Sequence, residues 1–119
     1  MSTTVTVERS AWVGTFARLT EERSGQQVVI EVLDEELGDQ TLVDGLPLAD
    51  LDVDPRGRVL VVACRGHDGS SRVVLRHMVH DLEQVDLVDQ PVGRLVVRIV
   101  DAKGVQTLLS LTPTTALSS

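Results

Sequence analysis

The chain has 119 residues, with 18 Asp and Glu against 11 Lys and Arg and a formal net charge of −7. That length is one domain's worth, and surface scaling buries about two-thirds of the unfolded chain's surface, enough for one core without disulfides or a structural metal. The apolar fraction of 42% excludes disorder of the whole chain, no run of about 18 apolar residues is present to span a membrane, and no basic-then-apolar secretory signal opens it.

In chain order, residues 1–7 offer little to bury and are expected to be disordered. From about residue 8 to 23, Trp12, Phe16 and Leu19 recur at helical spacing, and Gly25 supplies the stop. Both aromatics lie on one stripe, which reads as an anchor into the protein's own sheet and not as a docking helix. After Gly25 the period becomes two. Val28, Ile30 and Val32 mark a strand, followed by an acidic link with a short strand near 40–43. Leu46 and Leu48 share one parity and Leu51 and Val53 the other, so a bulge near Ala49-Asp50 is expected. Asp54-Pro55-Arg56-Gly57 is a turn. Val59 to Cys64 is an apolar run that suits a strand covered on both faces, and Gly66 to Gly69 turns again. Residues 72–79 and 85–88 are the next strands, Pro91 and Gly93 break the chain, and 94–100 and 105–111 form a hairpin across Asp101-Ala102-Lys103-Gly104. The tail, 112–119, is expected to be disordered. The 21 valines favour pleated surface over helix. The expected fold is therefore α+β: residues 8–111 as a single domain, its N-terminal helix packed on an antiparallel meander sheet or partly open β-barrel of about six or seven strands.

Several of these pieces stand in a familiar order: Trp12 and Phe16 on the opening helix, Glu36-Leu37-Gly38, Leu46-Pro47-Leu48 with Asp54 after it, His77, and Asp101-x-x-Gly104 before Thr107-Leu108-Leu109. Together, over about residues 10–111, they resemble an uncharacterised bacterial family of small single-domain proteins, a domain of unknown function. The family's pattern carries a proline five residues after the histidine, where this chain has Leu82. The resemblance implies no activity and transfers no catalytic or binding residue.

Charge is the most uneven feature. Nine acids and no base lie between Ser24 and Pro55, and the first sixty residues hold twelve acids and five bases against six of each in the remainder. Asp50-x-Asp52-x-Asp54 opens like a calcium loop, but Pro55 occupies the glycine position and Val61 the position of the bidentate glutamate. A solvated face is the simpler reading, with a surface for a basic partner or a divalent-metal site across 31–54 as alternatives. With one Trp, one Phe and no Tyr, the acidic chain lacks both the stacking platform and the charge for nucleic acid.

His77 falls on the apolar face of its strand. It is the residue placed at a ligand site, with Asp54 or Asp81 as the carboxylate that general acid–base work would need. His80 has the opposite parity, so the pair does not read as a zinc site. Cys64 ends an apolar strand and reads as a buried, inert thiol; its single occurrence excludes an internal disulfide and fits a reducing, cytoplasmic compartment. Ser70-Ser71 forms no nucleophile elbow, and no phosphate-binding glycine loop is present, so no cofactor is expected. Arg72, Arg76, Arg94 and Arg98 share an outward parity, interleaved with Val74, Met78, Val96, Val100 and Leu108, and Asp86 points outward among them if 85–88 lies between. This reads as a cross-strand ion-pair ladder or as an interface. The function that follows is a non-enzymatic interaction or assembly module, through a protein partner or self-association. A small-ligand or minor catalytic site near His77 is the first alternative and metal binding by the acidic stretch the second.

Overall fold

In the computed structural model, which describes residues 3–114, the valine-rich alternating segments form eight strands. They are β1 (Thr3–Val7), β2 (Gln27–Asp34), β3 (Gly38–Val53), β4 (Val59–Arg65), β5 (Val73–His80), β6 (Leu82–Asp89), β7 (Leu95–Asp101) and β8 (Gln106–Thr112). One helix, α1 (Trp12–Arg23), lies between the first two strands. The strands pair antiparallel in the order β1-β6-β7-β8-β2-β3-β4-β5, an open sheet with β1 and β5 at its ends. The α+β class and the single N-terminal helix match expectation.

Two features differ. The strands do not form one meander: β2 to β5 and β6 to β8 are separate meanders, joined where β8 pairs with β2. Eight strands replace six or seven because Thr3–Val7, expected to be disordered, pairs with β6 from Thr3↔Asp89 to Val7↔Val85. Its first four residues are exposed, so no burial pattern could reveal it; backbone pairing and a 2.7 Å bond from the Thr6 hydroxyl to Asp86 hold it. Of the tail expected to be disordered, Thr112 ends β8, and 115–119 lie outside the described residues.

The 16-residue β3 belongs to both halves of the sheet. Residues 38–47 pair with β2, whereas pairing with β4 begins at Leu48, and the register slips between Leu48 and Asp50. The slip falls where the leucine parity breaks, because an extra residue reverses which side chains face inward. The second bend is at Asp81, which alone links β5 to β6 although they stand near opposite ends of the sheet. Its φ of 55° turns the chain sharply. Its N–H donates to Arg58 O at 2.6 Å and its carbonyl accepts from Ala102 N at 2.9 Å. Rolled in this way, the sheet buries its concave face, with Val28, Ile30, Leu60, Val62, Val97, Ile99, Leu109 and Leu111 all fully enclosed.

The helix closes what β2 leaves open. Beyond Pro47 the edge of β3 has lost its neighbour, and the chain around α1 supplies the missing partners. Leu48 exchanges bonds of 2.8 Å with Gly25 N and Gln26 O. Leu51 N–H donates to the Thr20 hydroxyl at 2.9 Å, and that hydroxyl lies 3.0 Å from Leu51 O and 2.9 Å from Phe16 O. Trp12, Phe16 and Leu19 enter the core at 2% exposure or less, so the aromatic stripe is an internal anchor. The Trp12 indole N–H donates to Val7 O at 3.0 Å, and the Arg9 guanidinium stands 4.4 Å from its ring centroid. Gly57 turns beneath that ring at φ +68°, and a methyl there would stand 3.1 Å from it.

Replacing Thr20 by Val keeps the shape but orphans the Leu51 N–H. Urea denaturation is expected to show a loss of about 1–3 kcal/mol. Gly57→Ala adds left-handed strain of about 1–2 kcal/mol to its clash with the indole; an unchanged denaturation midpoint would contradict the packing described.

Candidate functional site at the open seam

The pairing of β5 with β4 sets Leu75, His77 and Val79 opposite Cys64, Val62 and Leu60. Those three β4 residues are fully buried, so His77 projects towards the concave side, as its parity predicts. The sheet does not close over it. Between β5 and the hairpin that joins β7 to β8 lies a cleft of about 280 Å³, walled by His77, Val79, Val32, Val105, Thr107 and Lys103. His80, Asp81 and Asp101 stand in the same lining. The volume falls just below the range of ligand sites, about 300–1,000 Å³.

Burial lowers the pKa of the half-buried His77 imidazole below its ordinary value of 6.5, so it is neutral at pH 7. A neutral imidazole offers one donor and one acceptor. The valines supply apolar walls and Thr107 a hydroxyl. Such a cleft can hold a small molecule and orient it by one or two hydrogen bonds.

Of the other expected site residues, Asp81 and Met78 reach its lining and the rest lie apart. Asp54 is absent from the cleft lining. Its Oδ1 accepts from Arg58 N at 2.6 Å and Val59 N at 3.0 Å, closing the β3–β4 turn. The Val59 amide, then the Arg58 amide and the charges of Arg56 and Arg58, outweigh desolvation and lower its pKa. Asp81, the other carboxylate weighed with His77, does reach the cleft. Cys64 is fully enclosed, and desolvation pushes its thiol up to about 11, leaving no thiolate at neutral pH. The acidic stretch disperses: Asp34 caps the β2–β3 turn through Glu36 N and Leu37 N, and Asp50 and Asp52 pair opposite Ala63 and Val61 on β3's outer face. Among the described residues no group of three or more His, Cys, Asp or Glu could hold a metal ion.

The single arginine face expected from parity is two patches. Arg98 on β7 and Arg94 just before it are separated from Arg72, Arg76 and Met78, on or beside β5, by four intervening strands. In the first patch Arg98 pairs with Asp86 at 2.7 Å, and Arg94 donates to the Ser110 hydroxyl at 3.2 Å. Asp86 is only 3% exposed. Its burial alone would raise the pKa, but bonds from Thr6, Gln84 and Arg98 outweigh that and lower it. In the second patch Met78 is half exposed, and no ion pair involves Arg72 or Arg76 among the described residues.

Sequence reasoning did not single out Thr107, Val32 or Lys103 for the cleft. Thr107 left one trace: a polar residue on the inward parity shared by Leu109 and Leu111. The hairpin's approach to β5 is tertiary and left none.

Comparison with known proteins agrees with an uncharacterised domain. The family described as "Family of unknown function (DUF5335)" matches residues 3–119. The chain belongs to that family. An "Uncharacterized protein" of Aquifex aeolicus (strain VF5) is 25% identical over 111 residues, which is 92% of this chain and 93% of that protein. No solved structure matches. No helix among the described residues of this DUF5335 chain is long and apolar enough to cross a membrane.

The histidine makes a pH prediction for this DUF5335 member. Above 6.5, the ordinary value, folded and unfolded imidazoles are both neutral and stability is full. Below it the unfolded chain takes up a proton that the fold resists, so stability falls until the folded group also protonates, by at most about 1.4 kcal/mol per pH unit. Urea midpoints of His77→Gln should fall less than wild type between about pH 7.5 and 5; parallel profiles would refute the assignment.

Proposed function

We propose that this chain is a non-enzymatic binding module that takes a small molecule into the seam beside His77. The observation that carries this reading is the cleft itself. A rolled sheet stops short of closing, and the gap is lined by a desolvated imidazole, a threonine and valine walls. The lining also carries the exposed His80 of opposite parity but no thiol, and the small, valine-walled space favours recognition. Amide and imidazole NMR during titration with a metabolite panel tests it. A binder should shift His77, Ala102, Lys103 and Thr107 together, and His77→Gln should weaken it about tenfold, roughly 1.4 kcal/mol. If the panel leaves these resonances still, or shifts scatter over the molecule, the proposal fails.

A second reading, an assembly module, is favoured by a different observation. Besides β1 at the far end of the sheet, two strand edges carry no neighbour among the described residues: the outer edge of β5, and residues 38–45 of β3, which β2 covers on one side only. Unpaired edges are templates for strand addition.

A further inference from the structure

We infer that the unpaired edge of β5 in one copy of this chain pairs with the unpaired first half of β3 in a second copy, head to tail. The inference rests on the assembly reading; Arg72 to Arg76 lie outside the cleft, whereas the end of the same strand, His77 to His80, lines it. The two edges are alike in length, eight residues in β5 and the eight of 38–45 in β3, and opposite in charge.

Along β5 and the residue before it, the exposed Arg72, Val74, Arg76 and Met78 alternate with the half-buried Val73, Leu75 and His77. Val74 and Met78 are 55% and 50% exposed, and neither arginine has an ion-pair partner among the described residues. Exposed apolar side chains between unpaired guanidiniums are an uncommon ending for a sheet. Along β3, residues 38–42 are all exposed, as is Asp44, and Leu42 is 43% exposed. Asp39 and Asp44 likewise have no ion-pair partner among the described residues. These aspartates belong to the base-free run between Ser24 and Pro55, so an edge from another copy is an obvious source of positive charge.

An antiparallel alignment brings Arg76 of one copy towards Asp39 of the other and Arg72 towards Asp44, with Val74 across from Thr41 and Leu42. The handedness permits it. Strands β3 and β5 run in the same direction within the sheet, and both open edges lie on the side towards β5, so a second copy turned end for end keeps the two convex faces continuous. Pairing of β5 with its own counterpart would instead gather four guanidiniums along one seam with no acid opposite them, and like charges close across strands are destabilising. Because the two edges differ, the contact is heterologous and builds rings or open chains of copies. It should also weaken with salt, since its charges are exposed.

Two charge-reversed proteins test this: Arg72→Glu/Arg76→Glu and Asp39→Arg/Asp44→Arg. All four positions are exposed, and circular dichroism of each variant confirms folding. Light scattering behind size exclusion, over a wide dilution series at low salt, should show wild type moving from monomer to higher mass as concentration rises. Each reversed protein alone should remain monomeric at concentrations where wild type associates. Their equimolar mixture should regain association, because each then carries the edge that the other needs. Wild type that stays monomeric to millimolar concentration overturns the inference. So does association that survives either reversal or fails to return on mixing; in those cases assembly stands and this surface does not.

Discussion

A single residue sets the shape of this molecule. Asp81 is all that separates β5 from β6, yet β5 ends the sheet and β6 lies one strand in from the opposite end. A flat sheet cannot satisfy that connection, so the strands must roll until their far ends meet. Asp81 bears the local cost with a left-handed backbone, about 1 kcal/mol for a non-glycine residue that tolerates it well, and its amide and carbonyl are each bonded to a neighbouring turn. Rolling creates the concave face that buries the valines and leucines. It also brings the β7–β8 hairpin beside β5, and the cleft is what remains between them.

The two ends of the roll are finished in different ways. At one end, where β2 stops beside the long β3, helix α1 fills the space with Trp12 and Phe16 and hands the stranded backbone groups of Leu48 and Leu51 new partners. The backbone groups of Leu48 and Leu51 are thereby met, as buried backbone demands. At the other end no element is inserted. The polar side chains there, His77, Thr107, Lys103, Asp81 and Asp101, line a void. The contrast between a plugged end and an open one gives the seam its standing as the place where a ligand can enter.

Much of this was legible in the sequence because it rests on local periodicity. The valine alternations mark their strands, the tryptophan and phenylalanine stripe marks the buried helix face, and the break in leucine parity marks the bulge in β3. Residues 3–7 escaped because an edge strand without buried side chains has no hydrophobic period; its evidence lies in β6, some eighty positions away. The inward aim of His77 could be read from its parity, but the walls around it could not, since Val32, Thr107 and the hairpin turn at Lys103 belong to strands whose order nothing local encodes. Asp54 illustrates the converse. A carboxylate before Pro-Arg-Gly is a turn cap by local chemistry, and that role keeps it from His77. The arginines divided for the same reason: shared parity fixes a face within each strand, whereas strand order decides whether faces meet.

The pairing of β1 with β6 bears on how the chain folds. Thr6 and Asp86 are 80 positions apart, so β1 leaves the ribosome long before the strand that it joins exists. Closing so long a loop costs entropy that few local contacts can offset beforehand. The N-terminal segment therefore has no strand to pair with until β6 has been made, whereas α1 and the strands of the β2 to β5 meander are all synthesised earlier.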